Sequence, residues 1–143
     1  MKNDDNVKNV LLDDGVQKSL LTRKHEFENI ETTNIDFLEN ELNFKKGDSW
    51  AVRVIYNDLF GGVIIKQNPG EGNRRHYHPD ADECWVVLEG SYEWEIDGNT
   101  KIVSQGDIVL VKANTWHKIT AVGNSPAARL AITRPDVNHV YED

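Results

Sequence analysis

Apolar and polar positions along this chain fall into two textures that meet near residue 49. Over residues 1–48 the apolar residues come in short groups, such as Val10-Leu11-Leu12 and Ile35-Asp36-Phe37-Leu38, with no sustained helical or strand period. That stretch reads as an extended N-terminal arm. Within it, residues 7–12 are expected to form an edge strand, and Asn34 to cap a short helix running through Asn40. From Trp50 onward, short β-rich runs follow one another at near-regular intervals: 50–56, 63–67, 74–78, 83–88, 92–96, 101–103, 108–111, 117–122 and 129–133. Asp97-Gly98 supplies the positive φ angles of a two-residue hairpin, Gly90 and Gly106 punctuate strand ends, and Asn124-Ser125-Pro126 cannot continue a ladder. Many strands without intervening helices predict an all-β domain at 49–135, followed by a C-terminal tail at 136–143. A closed barrel or double-sheet roll is favoured over an open sandwich because closure hides unpaired strand edges.

Composition narrows the partners. At 143 residues, 38% hydrophobic and 28% charged, the chain suits one domain with a real core. Its net charge of −8 opposes binding to nucleic acid or anionic membrane, whose phosphates call for clustered Lys and Arg. No apolar run reaches the roughly 18 residues of a membrane span, and no signal peptide is visible at the start, so a cytoplasmic location is expected. Cys84 is the single cysteine; it excludes an internal disulfide and reads as a small apolar strand residue. Gly-x-Ser-x-Gly elbows, phosphate loops and dinucleotide-binding glycine patterns are missing.

The chemistry concentrates in His76, His78, Glu83 and His117. Residues two apart on a strand project from one face, so His76 and His78 can approach one ion together while Tyr77 points away. Pro79-Asp80-Ala81-Asp82 then turns the chain, and Glu83 opens the next run, where its carboxylate can return to the same interior face. His117 starts a distant run, and only a fold that wraps strands around a common interior joins it to the others. The bland alternative is a hydrogen-bonded polar cluster with an unrelated strand histidine.

The spacing Gly70, five residues, His-x-His, four residues, Glu83, six residues, Gly90 resembles the first motif of the cupins. The second cupin motif is partly kept: Gly106 and His117 stand in register, while Lys112, Asn114 and Ala121 replace the usual Pro, Gly and Asn. The resemblance, spanning about 50–134, implies a double-stranded β-helix or jelly-roll barrel, often a homodimer, with His76, His78, Glu83 and His117 as ligands to a divalent transition metal. Nitrogen and oxygen donors without thiolate suit Mn, Fe, Co, Ni, Cu or Zn alike, and Fe(II) or Mn(II) is the expected ion. A six-coordinate ion on four side chains keeps two positions for water, dioxygen or a chelating substrate.

Strand parity places Arg74 beside the histidines as an anion anchor and Trp85 beside Glu83 as an apolar pocket wall, each weighed against a rim ion pair and plain core packing. Arg53, Tyr56, Lys66 and Arg129 are weaker additions; Tyr92 and Trp94 read as core; Arg75 and Trp116 are expected to face outward. His25 and His139 lie outside the pattern and read as ordinary surface residues. The expected function is a metal-dependent enzyme acting on a small anionic or oxygen-rich metabolite, as oxygenase, decarboxylase, lyase or isomerase. Non-catalytic ligand binding or sensing is the alternative, and a storage protein with a structural metal comes third.

Overall fold

The computed structural model describes residues 21–24, 32–135 and 137–142; the strand expected at 7–12 and His25 lie outside them. Its elements are β1 (Leu21–Lys24), α1 (Ile35–Glu41), β2 (Trp50–Tyr56), β3 (Gly61–Gln67), β4 (Gly72–Tyr77), β5 (Glu83–Glu89), β6 (Ser91–Ile96), β7 (Asn99–Ser104), β8 (Ile108–Val111), β9 (His117–Val122), β10 (Ala127–Thr133) and β11 (Val140–Tyr141). They form two sheets, ordered β1-β2-β3-β10-β5-β8 and β11-β4-β9-β6-β7. Apart from the parallel β1–β2 pair, the strands run antiparallel. This is a jelly-roll barrel, or double-stranded β-helix.

Alternation decides which side chains meet inside. Trp85, Val87, Tyr92, Trp94, Val109, Val111 and Ile119 recur at every second position and pack between the two sheets. A second apolar cluster lies on the other side of the six-stranded sheet, where Trp50, Val52, Val54 and Ile64 meet Ile35 and Leu38 of α1. Asn34 caps that helix by accepting from the Phe37 N–H at 2.8 Å. Phe44 stacks on Trp50 with ring centroids 5.1 Å apart, and Glu39 accepts from Trp50 Nε1 and pairs with Lys66. The described parts of the arm, residues 21–24 and 32–48, are thus bound to the barrel wall.

Two turn features position the later strands. Asp97 (φ 51°) and Gly98 (φ 83°) make the two-residue hairpin between β6 and β7. Gly72 begins β4 where that strand lies hard against β9: a Cβ there would come within 2.0 Å of the Ile119 carbonyl oxygen.

Pairing departs from simple alternation in β4. Asn73 faces Ile119 while His76 faces His117, so three steps on β4 match two on β9. The extra residue is a bulge, which reverses parity along the strand. A similar shift between Arg53 and Ile55 of β2 accompanies the burial of Arg53, 7% exposed.

Candidate metal centre

His76 lies on β4, His78 one residue beyond it, Glu83 at the first position of β5 and His117 at the first position of β9. The fold brings all four together: their exposures are 2%, 1%, 7% and 1%. Ring centroids of His76 and His117 stand 4.3 Å apart, and those of His76 and His78 5.0 Å. Glu83 Oε1 lies 3.2 Å from His78 Nε2 and 3.7 Å from His117 Nε2, and it also accepts from Trp85 Nε1 at 2.6 Å.

Backbone carbonyls orient the rings. His76 Nδ1 meets the Arg74 oxygen at 2.6 Å, His117 Nδ1 the Thr115 oxygen at 2.9 Å, and His78 Nδ1 the Asn138 oxygen at 3.1 Å. Each carbonyl calls for a proton on Nδ1; in His76 and His117 this leaves Nε2 to offer its lone pair, the tautomer a metal-binding imidazole needs, whereas His78 Nε2 shares a proton with the Glu83 carboxylate that an ion would displace. His117 Nε2 is buried with no hydrogen-bond partner, a position that a cation would fill.

Electrostatics point the same way. Burial pushes the His76 pKa down to about 3, assisted by His117, and burial also lowers His117. Burial opposes charge on Glu83 and His78 too, but their mutual hydrogen bond and attraction override it. Glu83 is held down at about 2, and His78 is raised. The pocket therefore accepts positive charge next to the carboxylate while keeping its other imidazoles neutral. Three neutral or displaceable imidazole nitrogens and a carboxylate fit a divalent transition ion.

Among the described residues, two close donor triads emerge, each with all donor atoms within 4.8 Å: His78, Glu83, His117 and His76, His78, His139. The second corrects the reading of His139 as an ordinary surface residue. The segment around it folds back over the site, and the His139 ring centroid lies 4.4 Å from that of His78. Burial lowers its pKa to about 4. No periodicity marks this segment, whose strand β11 is two residues long; the His139 imidazole itself was the only signal.

A cavity of about 100 Å³ opens over His76 and Glu83, with Trp85, Val63, Ile65 and Val137 among its apolar walls. Trp85 stands where parity put it. Arg74 does not line this cavity: the bulge turns Asn73 inward in its place, and the Arg74 guanidinium lies 3.9 Å from the Tyr141 ring centroid. The cationic wall is supplied by Arg53 and Arg134. Arg129 is a wholly buried core cation, bonded to Gln67 and Asn73 and lying over the rings of Trp85 and Tyr92. Lys66 pairs with Glu39 away from the site. Tyr92 and Trp94 are core, and Arg75 pairs with Glu95 and Glu142 beside the Trp116 ring.

The altered second motif keeps its shape. Asn114 takes φ 65°, the left-handed conformation that glycine would supply and that asparagine tolerates best among the other residues. Ala121, fully buried, exchanges backbone hydrogen bonds with Gly70 and Glu71 at 2.7 Å each, tying β9 to the turn before β4.

Comparison with known proteins places the barrel. The family model described as "Cupin domain" matches residues 63–133. The polyketide synthase CurC of Streptomyces cyaneus is 28% identical over 116 residues, covering 74% of this chain and 75% of that protein. Quercetin 2,3-dioxygenase of Bacillus subtilis is 27% identical over 84 residues, which cover 59% of this chain and 25% of the dioxygenase. Among solved structures, an uncharacterised conserved protein with a double-stranded β-helix domain from Klebsiella pneumoniae matches with TM-score 0.60 at 21% identity, over 69% of this chain and 88% of that one.

Proposed function

The chain belongs to the cupin family, and on that premise we propose that it is a metal-dependent enzyme that chelates and transforms a small oxygen-rich metabolite. One observation carries the reading: the buried, unpartnered Nε2 of His117 stands 3.7 Å from the Glu83 carboxylate beneath a largely apolar cavity. His76, His78, Glu83 and His117 would hold the ion, with Fe(II) or Mn(II) preferred. When bound, such an ion supplies Lewis acidity or a one-electron couple to an oxygen-rich ligand.

The chain's own groups set what can bind. Asn73 gives its Oδ1 to Arg129 at 2.9 Å, so its amide nitrogen is the end left to donate toward the cavity it lines. Arg53, whose guanidinium lies 4.4 Å from the Tyr56 ring centroid, offers fixed positive charge on the cavity wall. Trp85, Val63 and Ile65 exclude water around the reacting groups. A flat, enolisable or phenolic compound with neighbouring oxygens suits this mixture of apolar wall and cation. Relatives named as a polyketide synthase and as a quercetin dioxygenase support that substrate class.

The reading is tested by metal analysis and turnover with phenolic and polycarbonyl compounds, with dioxygen uptake followed in parallel. Wild-type protein should retain about one equivalent of metal and turn over at least one such compound, while His117→Ala keeps its circular dichroism spectrum and loses both. Oxygen uptake coupled to turnover marks an oxygenase; turnover without it marks a lyase or isomerase. Undiminished activity of metal-free His117→Ala protein would refute the proposal, and tight binding without product would replace it with a binding module.

A further inference from the structure

We propose that His139 is a fifth protein ligand of the same ion, so that the centre is built from four imidazoles and one carboxylate. The inference rests on the metal reading above, and three features of the segment 137–142 support it. A ring nitrogen of His139 lies within 4.8 Å of donor atoms of both His76 and His78, a grouping as close as that of His78, Glu83 and His117. His78 belongs to both triads, so they adjoin at one imidazole.

The His139 ring also packs among the rings of the candidate ligands, its centroid 4.4 Å from that of His78 and 5.2 Å from that of His76.

The segment that carries it is fastened at several points. Asn138 Nδ2 donates to Asp80 Oδ2 at 2.8 Å, β11 pairs with β4 so that Tyr141 faces His76, and Arg75 bonds Glu142 at 2.9 Å. The Tyr141 ring lies under the Arg74 guanidinium. Asn138, next to His139, gives its carbonyl to His78 Nδ1. One strap thus orients a quartet member and delivers a new imidazole beside it, an arrangement that a solvated histidine does not require.

The consequence is chemical. An octahedral ion with five protein donors keeps one position for an outside oxygen, where a four-donor centre keeps two. A substrate then binds through a single oxygen, or displaces His139 to chelate.

The test uses the full chain loaded with Mn(II). A crystal structure with the ion located by anomalous scattering should place four imidazole nitrogens within bonding distance, and calorimetry on His139→Ala should give Mn(II) affinity weaker by at least about 10-fold, the lower range for losing even an outer-shell partner. Asp80→Ala, which unpins the strap without removing a donor, should lower affinity by less and retain four imidazoles. A wild-type centre with three imidazoles, or unchanged affinity in His139→Ala, overturns this inference and leaves the quartet standing. Unchanged affinity in His76→Ala overturns the metal reading and this inference with it. The wild-type coordination count decides the matter even if a variant fails to fold.

Discussion

The barrel interior holds two buried polar clusters, built on opposite principles. Around Arg129, a cation with no exposed surface is bonded to Gln67 and Asn73 and sandwiched near the faces of Trp85 and Tyr92. Its two terminal nitrogens are bonded by side chains of β3 and β4. Around Glu83, three buried imidazoles crowd one carboxylate, and the His117 Nε2, 3.7 Å from it, makes no hydrogen bond. Burial of polar groups costs free energy unless each is paired, so the first arrangement reads as part of the fold and the second as a socket for something brought from outside. Trp85 touches both, its ring face toward Arg129 and its N–H on Glu83.

If the contrast is right, the arginine cluster should carry the larger share of stability. Arg129→Met strands the side-chain oxygens of Gln67 and Asn73, and is expected to lower unfolding free energy by about 3 kcal/mol or more, read from urea denaturation. That loss should hold from neutral to mildly acidic pH, since a guanidinium does not titrate there.

The histidine cluster should instead make metal-free protein sensitive to acid. His76 and His139 have folded pKa values of about 3 and about 4, below their usual 6.5. As pH falls below 6.5, the unfolded chain takes up protons at these positions that the folded chain refuses, so stability drops until pH nears 4 to 3. His78, with its raised pKa, acts oppositely: its contribution is full below 6.5 and fades as pH rises. Glu83 stabilises above its ordinary 4.5 and loses that contribution as pH falls toward about 2. Well below pH 6.5 and down to about 4, the net expectation is a decline of about 2.7 kcal/mol per pH unit, one proton's worth for each of His76 and His139. Urea midpoints in the presence of chelator measure it, and a flat profile would erase the distinction between the clusters.

The smallest effect should come from the residue they share. Trp85→Phe keeps the ring that Arg129 faces and removes the donor to Glu83. Metal affinity should fall by about 10-fold, in the range for a lost outer-shell hydrogen bond, with about 1 kcal/mol or less taken from the metal-free fold. Calorimetry and denaturation on the same preparation separate the two numbers.

Two ordinary rules grouped three of the candidate ligands in the sequence, period-two parity for His76 and His78 and a short hairpin returning Glu83, whereas His117 joined them only through the resemblance to the second cupin motif. Burial of Trp85 followed from the same parity. The nine predicted runs correspond to β2–β10; all but the polar β4 carry alternating or branched apolar residues bounded by turn chemistry. Arg74 failed because one extra residue in β4 reverses parity, and a bulge leaves no mark in an alternation pattern. His139 failed for a different reason. Its segment has no period and gains its place through pairing with β4 and the Asn138–Asp80 bond, both contacts between residues far apart in the chain. The helix at Ile35–Glu41 was readable from its Asn34 cap, whereas its docking on Trp50 and Ile64 was not, because either face of the sheet could have received it.

Gly72 has a bearing on how closely β4 and β9 approach below the proposed metal site. Its missing methyl lets β4 settle against the Ile119 carbonyl, and four residues onward His76 faces His117 across the same two strands. The approach of β4 to β9 at the near end of that pairing therefore depends on the smallest side chain on the strand. A residue outside the proposed ligand set thus limits how near two of its strands can come.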